Sequence, residues 1–195
     1  MPRADLVALA RNPVPSGATA GLFKSRDGAE LRYAIWQESR GPKRGTVCLF
    51  GGRTEFIEKY FEVVADLRRR GFAVATMDWR GQGGSDRLLR NQRRGHVRDF
   101  ADYDRDLKQF VREIVMPDCP PPFIALAHSM GGNITLRSCV VPGIWWDKVI
   151  LSAPMVRLNP CSLKGGSLLT ARLTAKVMCA AGFSGAYVPG GSDDY

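Results

Sequence analysis

The stretch Phe123 to Gly132, FIALAHSMGG, constrains the fold of this chain more than any other. An apolar strand breaks at Ala127-His128-Ser129-Met130-Gly131 and a helix is expected to begin at once, which is the signature of a nucleophile elbow. Ala127 and Gly131 are small enough for the backbone to double back, and this leaves Ser129 at the tip of a strained turn with its hydroxyl exposed above the helix N-terminus. A serine hydroxyl is a weak nucleophile near neutral pH. The turn therefore has chemical use only beside a base and beside N–H groups able to hold an oxyanion. The plainer alternative, a serine that merely caps the next helix, is disfavoured by the pattern around it.

The rest of the chain alternates strands and helices. Glu30 to Gln37 alternates as a half-buried strand with Leu31, Tyr33 and Ile35 on one face, while Thr46 to Phe50, closed by Gly51-Gly52, and Phe72 to Met77 read as strands buried on both sides. Between them Phe56, Tyr60, Val63, Val64 and Leu67 recur at helical spacing up to a stop at Gly71. Asp99 caps an amphipathic helix whose buried face holds Phe100, Tyr103, Leu107, Phe110, Val111 and Ile114, and Val149 to Leu151 is a further strand. This order predicts an α/β fold, a mostly parallel sheet with crossover helices. Gly81 to Gly84 lacks a following Gly-Lys-Ser/Thr and reads as a turn beside the site rather than a phosphate loop. Residues 1–22 are expected as an N-terminal lead-in and 23–157 as the core. In 158–195 the register changes, with Gly165-Gly166 and then a helix carrying Leu168, Leu169, Leu173, Val177 and Met178.

Composition sets the outer limits. A chain of 195 residues, 45% hydrophobic and 24% charged, suffices for one globular domain. The opening run Leu6 to Ala10 is interrupted by Arg11, Asn12, Pro13 and Pro15 before it could form a signal-peptide core, and a cytoplasmic protein is expected. The five cysteines include no CxxC pair that would suggest zinc or redox chemistry, and Cys48 reads as a core residue. A net charge of +9 is densest from Arg87 to Arg98, where no aromatics alternate with the arginines as base-stacking platforms would. A nucleic-acid partner is not expected. Peripheral contact with an anionic membrane surface is compatible with the charge.

From about Leu31 to Met155 the chain resembles the α/β-hydrolase fold, and within it the lysophospholipase, monoacylglycerol lipase and serine aminopeptidase-like branch. The resemblance is carried in order by Gly51-Gly52-Arg53-Thr54-Glu55 after a strand, Asp78-Trp79-Arg80-Gly81-Gln82-Gly83-Gly84-Ser85, Gly95-His96-Val97 through Asp102-Tyr103, the His128-Ser129-Met130-Gly131-Gly132 elbow and Leu151-Ser152-Ala153-Pro154. Two positions depart from the branch: Ala127 stands at the first glycine of the elbow, and Gly51 where a histidine usually precedes the oxyanion turn. The resemblance implies Ser129 as catalytic nucleophile, an oxyanion hole from the backbone N–H groups of Arg53 and Met130, and a helical cap after the Ser-Ala-Pro strand. It implies neither a metal nor an organic cofactor.

In this fold the triad runs in chain order Ser, then Asp or Glu, then His. The sequence holds two histidines. His96 precedes Ser129 in a loop where the resemblance implies a non-catalytic histidine, and His128 adjoins the nucleophile on a position that points away from its hydroxyl. Asp147, Asp193 and Asp194 follow Ser129, but no histidine follows them, and Asp147 lies before a strand, on the sheet edge opposite the elbow. The expectation is the nucleophile and oxyanion half of a serine hydrolase, an N-terminal fragment truncated inside the helical cap and inactive by itself. The full enzyme would cleave a small lipid-like ester, a lysophospholipid or monoacylglycerol. The competing expectation is a catalytically inactive interaction or binding protein that keeps the fold. A hydroxyl rather than a carboxylate at position 129 argues against a haloalkane dehalogenase.

Overall fold

The computed structural model describes residues 4–38, 42–140, 142–143, 146–157 and 168–187. Its centre is a six-stranded sheet in the order β1-β2-β4-β3-β5-β6. The strands are β1 (Ala18–Lys24), β2 (Glu30–Trp36), β3 (Thr46–Phe50), β4 (Ala73–Met77), β5 (Phe123–His128) and β6 (Lys148–Ser152). β1 and β2 pair antiparallel, as do β2 and β4, whereas β3, β4, β5 and β6 run parallel. The crossovers are helical: α1 (Phe61–Arg69) after a 3₁₀ turn at Ile57–Tyr60, and α2 (Ala101–Phe110), which continues through a π turn at Val111–Val115 into α3 (Met116–Asp118). α4 (Ser129–Ser138) follows β5 directly, and α5 (Leu168–Ala180) lies outside the alternation. Among the described residues no helix is long and apolar enough to cross a membrane.

Two apolar clusters flank the sheet. On one side Leu31, Ile35, Cys48, Phe50 and Met77 meet Leu107, Phe110 and Val115 from the α2 segment and Ile134 from α4; on the other Ala34, Trp36, Leu49 and Val74 meet Ile57, Phe61 and Val64. β3 and β4 lie between the clusters and are buried at every residue, as a doubly covered parallel strand requires. Asp99, expected to cap α2, lies one residue before its N-cap Phe100, with its carboxylate accepting the Ala101 N–H at 3.0 Å.

Three details of the expected path change. β2 is covered on both faces rather than one: Ala34 and Trp36 join the α1-side cluster, and Arg32 is buried because Glu58 and Asp78 take its charge. The helical stripe before Gly71 is Ile57, Phe61 and Val64, with Phe56 and Val63 exposed, because a 3₁₀ first turn shifts the angular register. β1 runs across the boundary expected between residues 22 and 23, since its seven residues form a continuous antiparallel ladder with β2. Gly165-Gly166 and the tail from Gly190 lie outside the described residues. α5 exposes Leu169, Leu173 and Val177. β6 sits at the sheet edge with Ile150 exposed.

A buried ion pair joins the loop after β4 to α2. Arg80 reaches Asp106 with both Nε and Nη2 at 2.6 Å and Asp27 with Nη1 at 2.8 Å, and Ser25 Oγ donates to Asp106 at 2.5 Å. Asp106→Ala would leave a guanidinium buried with half its compensation, and a loss of about 3 kcal/mol in denaturant unfolding is expected. The double variant Arg80→Met/Asp106→Leu should lose less than the single one.

Candidate active site

His128 ends β5 in an extended conformation, and Ser129 opens α4 with φ at +50°. A β-carbon in that region costs of order 1–3 kcal/mol unless its surroundings hold it. Here they do. The Ser129 carbonyl accepts the Met155 N–H at 2.9 Å, and Asn133 Nδ2 donates to the Met155 carbonyl at 2.8 Å, so the segment after β6 clamps the elbow. At position 131 a β-carbon would stand 2.5 Å from the Gly51 carbonyl oxygen and 2.7 Å from that of Phe50. Glycine is what lets α4 seat on the end of β3.

The turn Gly51 to Glu55 touches the elbow: a β-carbon at Gly52 would lie 2.9 Å from Ser129 Cβ. Thr54 sits at φ +62°, and side chains from distant parts of the sequence hold the turn in place. Trp79 Nε1 donates to the Gly51 carbonyl at 2.9 Å and Gln82 Nε2 to that of Gly52 at 3.2 Å, while Gln82 Oε1 accepts the Thr54 N–H. Glu55 accepts the Gly52 N–H. The amides on either side of Arg53 are thus occupied, and among the described residues the Arg53 N–H has no partner. Met130 lies in the first turn of α4, where N–H groups have no acceptor inside the helix and the helix dipole favours negative charge. Two amides with open valence therefore flank a serine held at a helix N-terminus, an arrangement that can receive an oxyanion.

The remaining expected residues fall elsewhere. Among the described residues no hydrogen bond joins either histidine to the Ser129 hydroxyl. His96 lies with its main chain against Gly81. His128 turns to the α1 side of the sheet, its Nδ1 3.1 Å from Glu55 Oε2, beside a cleft lined by Leu49, Tyr60, Val63 and Leu126. Asp147 accepts the Phe123 N–H at 2.7 Å, at the amino end of β5 and so at the opposite end of the strand from Ser129.

Glu55 and Gln82 are the site residues that sequence reasoning missed. The Glu55 carboxylate accepts from Gly52 N–H, Tyr60 Oη at 2.5 Å and Lys59 Nζ at 2.5 Å, and faces His128. Burial pushes its carboxyl up, but Lys59, Tyr60, the Gly52 amide and His128 outweigh this and hold it at about 2. Only the spacing to Lys59 and Tyr60 could have hinted at this centre, because the other contacts depend on the fold.

A mostly parallel sheet with a strained serine at the carboxyl end of its fifth strand and a glycine turn after the third defines an α/β hydrolase. The chain belongs to the serine aminopeptidase S33 family, Hydrolase_4, whose model matches residues 41–190. It is 37% identical over 148 residues to lysophospholipase L2 of Escherichia coli, covering 71% of this chain and 43% of that protein. To the monoacylglycerol lipase of Mycolicibacterium smegmatis it is 32% identical over 148 residues, covering 75% of this chain and 50% of that one. The chain thus spans about half the length of these relatives. A thermostable carboxyl esterase from Bacillus coagulans superposes with a TM-score of 0.67 at 22% identity over 86% of this chain and 52% of its own, a likeness of fold.

The lowered Glu55 carboxyl has a pH signature. A carboxyl held below its unfolded value contributes stability that is complete above about pH 4.5 and is lost as pH falls towards about 2. Glu55→Gln should remove that part of the acid slope. Denaturant unfolding of both proteins from pH 7 to pH 2 checks it; the two curves should converge in acid.

Proposed function

We propose that this chain supplies the nucleophile and oxyanion half of a serine hydrolase that cleaves carboxylic esters of single-chain lipids, a lysophospholipid or a monoacylglycerol. The observation that carries this reading is Ser129 at φ +50° between β5 and α4, in contact with a turn whose Arg53 N–H is left without a partner. Ser129 Oγ attacks the ester carbonyl and gives its proton to a base, and the tetrahedral oxyanion is held by the N–H groups of Arg53 and Met130. The ester oxygen then leaves as an alcohol with that proton, and water hydrolyses the acyl-serine. The names of the relatives, lysophospholipase and monoacylglycerol lipase, support a lipid ester. In this reading His96 and His128 do not serve as the base, and the 195-residue chain by itself turns over no ester.

In the whole enzyme Ser129→Ala should abolish covalent labelling by a fluorophosphonate and nearly all esterase turnover; retained turnover would remove Ser129 from the mechanism. The oxyanion assignment separates backbone from side chain at Arg53. Arg53→Ala should change turnover little, whereas Arg53→Pro deletes the N–H and should cost about 2.7–4 kcal/mol in transition-state stabilisation. A thermal melt of the proline variant distinguishes that loss from unfolding, and equal losses in the two variants would implicate the guanidinium instead.

A further inference from the structure

Among the described residues the two fully buried guanidiniums are matched by acids, Arg32 by Glu58 and Asp78 and Arg80 by Asp106. The loop after β4 is different. Arg87 donates from Nη1 to the carbonyls of Gly81 at 2.7 Å and Gln92 at 2.6 Å, and from Nη2 to that of Gly83 at 3.3 Å; Arg94 Nη1 donates to the Gly185 carbonyl at 3.2 Å. Carbonyls satisfy donors without pairing the charge, and Arg87 feels a carboxylate only at a distance, that of Asp78. Arg93 is exposed in the same loop. Among the described residues none of these three forms an ion pair with a carboxylate, and Arg94 Nε is buried without a hydrogen-bond partner. Arg94 also stacks its guanidinium 4.7 Å from the Tyr187 ring, which fixes the segment after α5 against this loop.

Arg87 and Arg93 line a cleft of about 580 Å³ together with Thr54, Phe56, Gln82 and Gln92, and among the described residues its lining contains no acid. The cleft adjoins the candidate catalytic centre. Thr54 is two residues past Gly52, which touches Ser129, so its edge lies within about 7 Å of chain from that contact. A guanidinium suits the oxygens of a phosphate ester: Arg93 is exposed, and Arg87, with both Nη1 protons already on carbonyls, contributes its charge and its remaining N–H groups. In a single-chain glycerophospholipid the scissile carbonyl and the phosphate are separated by the glycerol backbone alone, so a phosphate site for it has to adjoin the nucleophile. An uncharged monoacylglycerol offers the arginines nothing to pair with.

We propose that the cleft around Arg87 and Arg93 is a phosphate subsite for the headgroup of a single-chain phospholipid, which makes the phosphate-bearing ester the preferred substrate over the neutral one. This rests on the ester-hydrolase reading and chooses between its two substrate classes.

Calorimetric titration of the full chain with non-hydrolysable ligands at monomeric concentrations tests it without turnover. Octyl glycerol phosphate ether should bind at least about tenfold more tightly than octylglycerol ether, the scale of one charge-assisted contact. Arg93→Gln should erase most of that preference while leaving octylglycerol binding unchanged, and Arg93→Lys should restore part of it. Arg87→Gln should act in the same direction, with a thermal melt to show that its loop still folds. Equal affinity of the two ethers for the wild-type chain, or a loss in Arg93→Gln that is the same for both, would overturn the subsite. So would glycerol phosphate binding as tightly as its octyl ether, which would indicate a site for free phosphate, or binding confined to anionic vesicles, which would indicate a membrane surface. If the ether preference holds but ester turnover by the whole enzyme does not depend on Ser129, the hydrolase reading fails and the phosphate subsite stands.

Discussion

One buried carboxylate organises the site from behind. Asp78, at the end of β4, accepts the Arg32 Nε–H at 2.7 Å and the Gly84 N–H at 2.8 Å on one oxygen and the Ile57 N–H at 2.9 Å on the other. It thereby joins β2, the loop after β4 and the start of the 3₁₀ turn that follows the oxyanion turn. Burial pushes its carboxyl up while the Arg32 charge and the two amides oppose this. Gly83 packs directly on this carboxylate, where a β-carbon would collide with it. The loop fixed in this way is the one that delivers Trp79 and Gln82 to the carbonyls and amide of the Gly51 to Glu55 turn. The geometry around Ser129 thus depends on an ionic contact on the far side of the loop.

Backbone strain collects where that support is available. The non-glycine residues with positive φ are Thr54, Ser129 and Ala153 among the described residues, and they belong to the oxyanion turn, the elbow and the segment that clamps the elbow. At of order 1–3 kcal/mol each, such conformations persist only where neighbouring bonds over-determine them. Gln82 holds the Thr54 amide, the Met155 amide holds the Ser129 carbonyl, and Pro154 packs on Gly132 so closely that a β-carbon there would lie 2.9 Å from its Cβ. A site strained at three points and braced at each holds its open N–H groups in fixed positions, which is what the proposed oxyanion role requires of donors that must not move when charge develops.

The local features of this site are legible in the sequence and the long-range ones are not. The elbow can be read because strand, tight turn and helix follow one another within the stretch from Phe123 to Gly132. The buried strands Thr46 to Phe50 and Phe72 to Met77 can be read because a doubly covered strand is a continuous apolar run. By contrast, Glu55 meets His128 across 73 positions and Gln82 meets Thr54 across 28, and neither pairing leaves a periodic trace. Gly81 to Gly84, read as a turn beside the site, also braces it through Gln82. Phe56 misleads in the other direction. Its helical spacing suggests burial, yet the 3₁₀ turn rotates it outward to line the arginine cleft.

Backbone donors separate the candidate chemistry from the identity of the side chains that carry them. The Met130 side chain is buried in the core, and the Arg53 guanidinium reaches out to the Gly95 carbonyl at 3.2 Å, so neither position needs its own side chain for an N–H to face an oxyanion. The sequence constraint falls on neighbours instead. Gly52 and Gly131 must lack a β-carbon for the turn, the elbow and β3 to meet, and Glu55 and Gln82 must keep acceptors where the two amides beside Arg53 point. Gly51, where the resemblance implies a histidine, fits the same logic. Trp79 and Glu55 hold the turn from both sides, so its rigidity does not depend on the side chain at position 51.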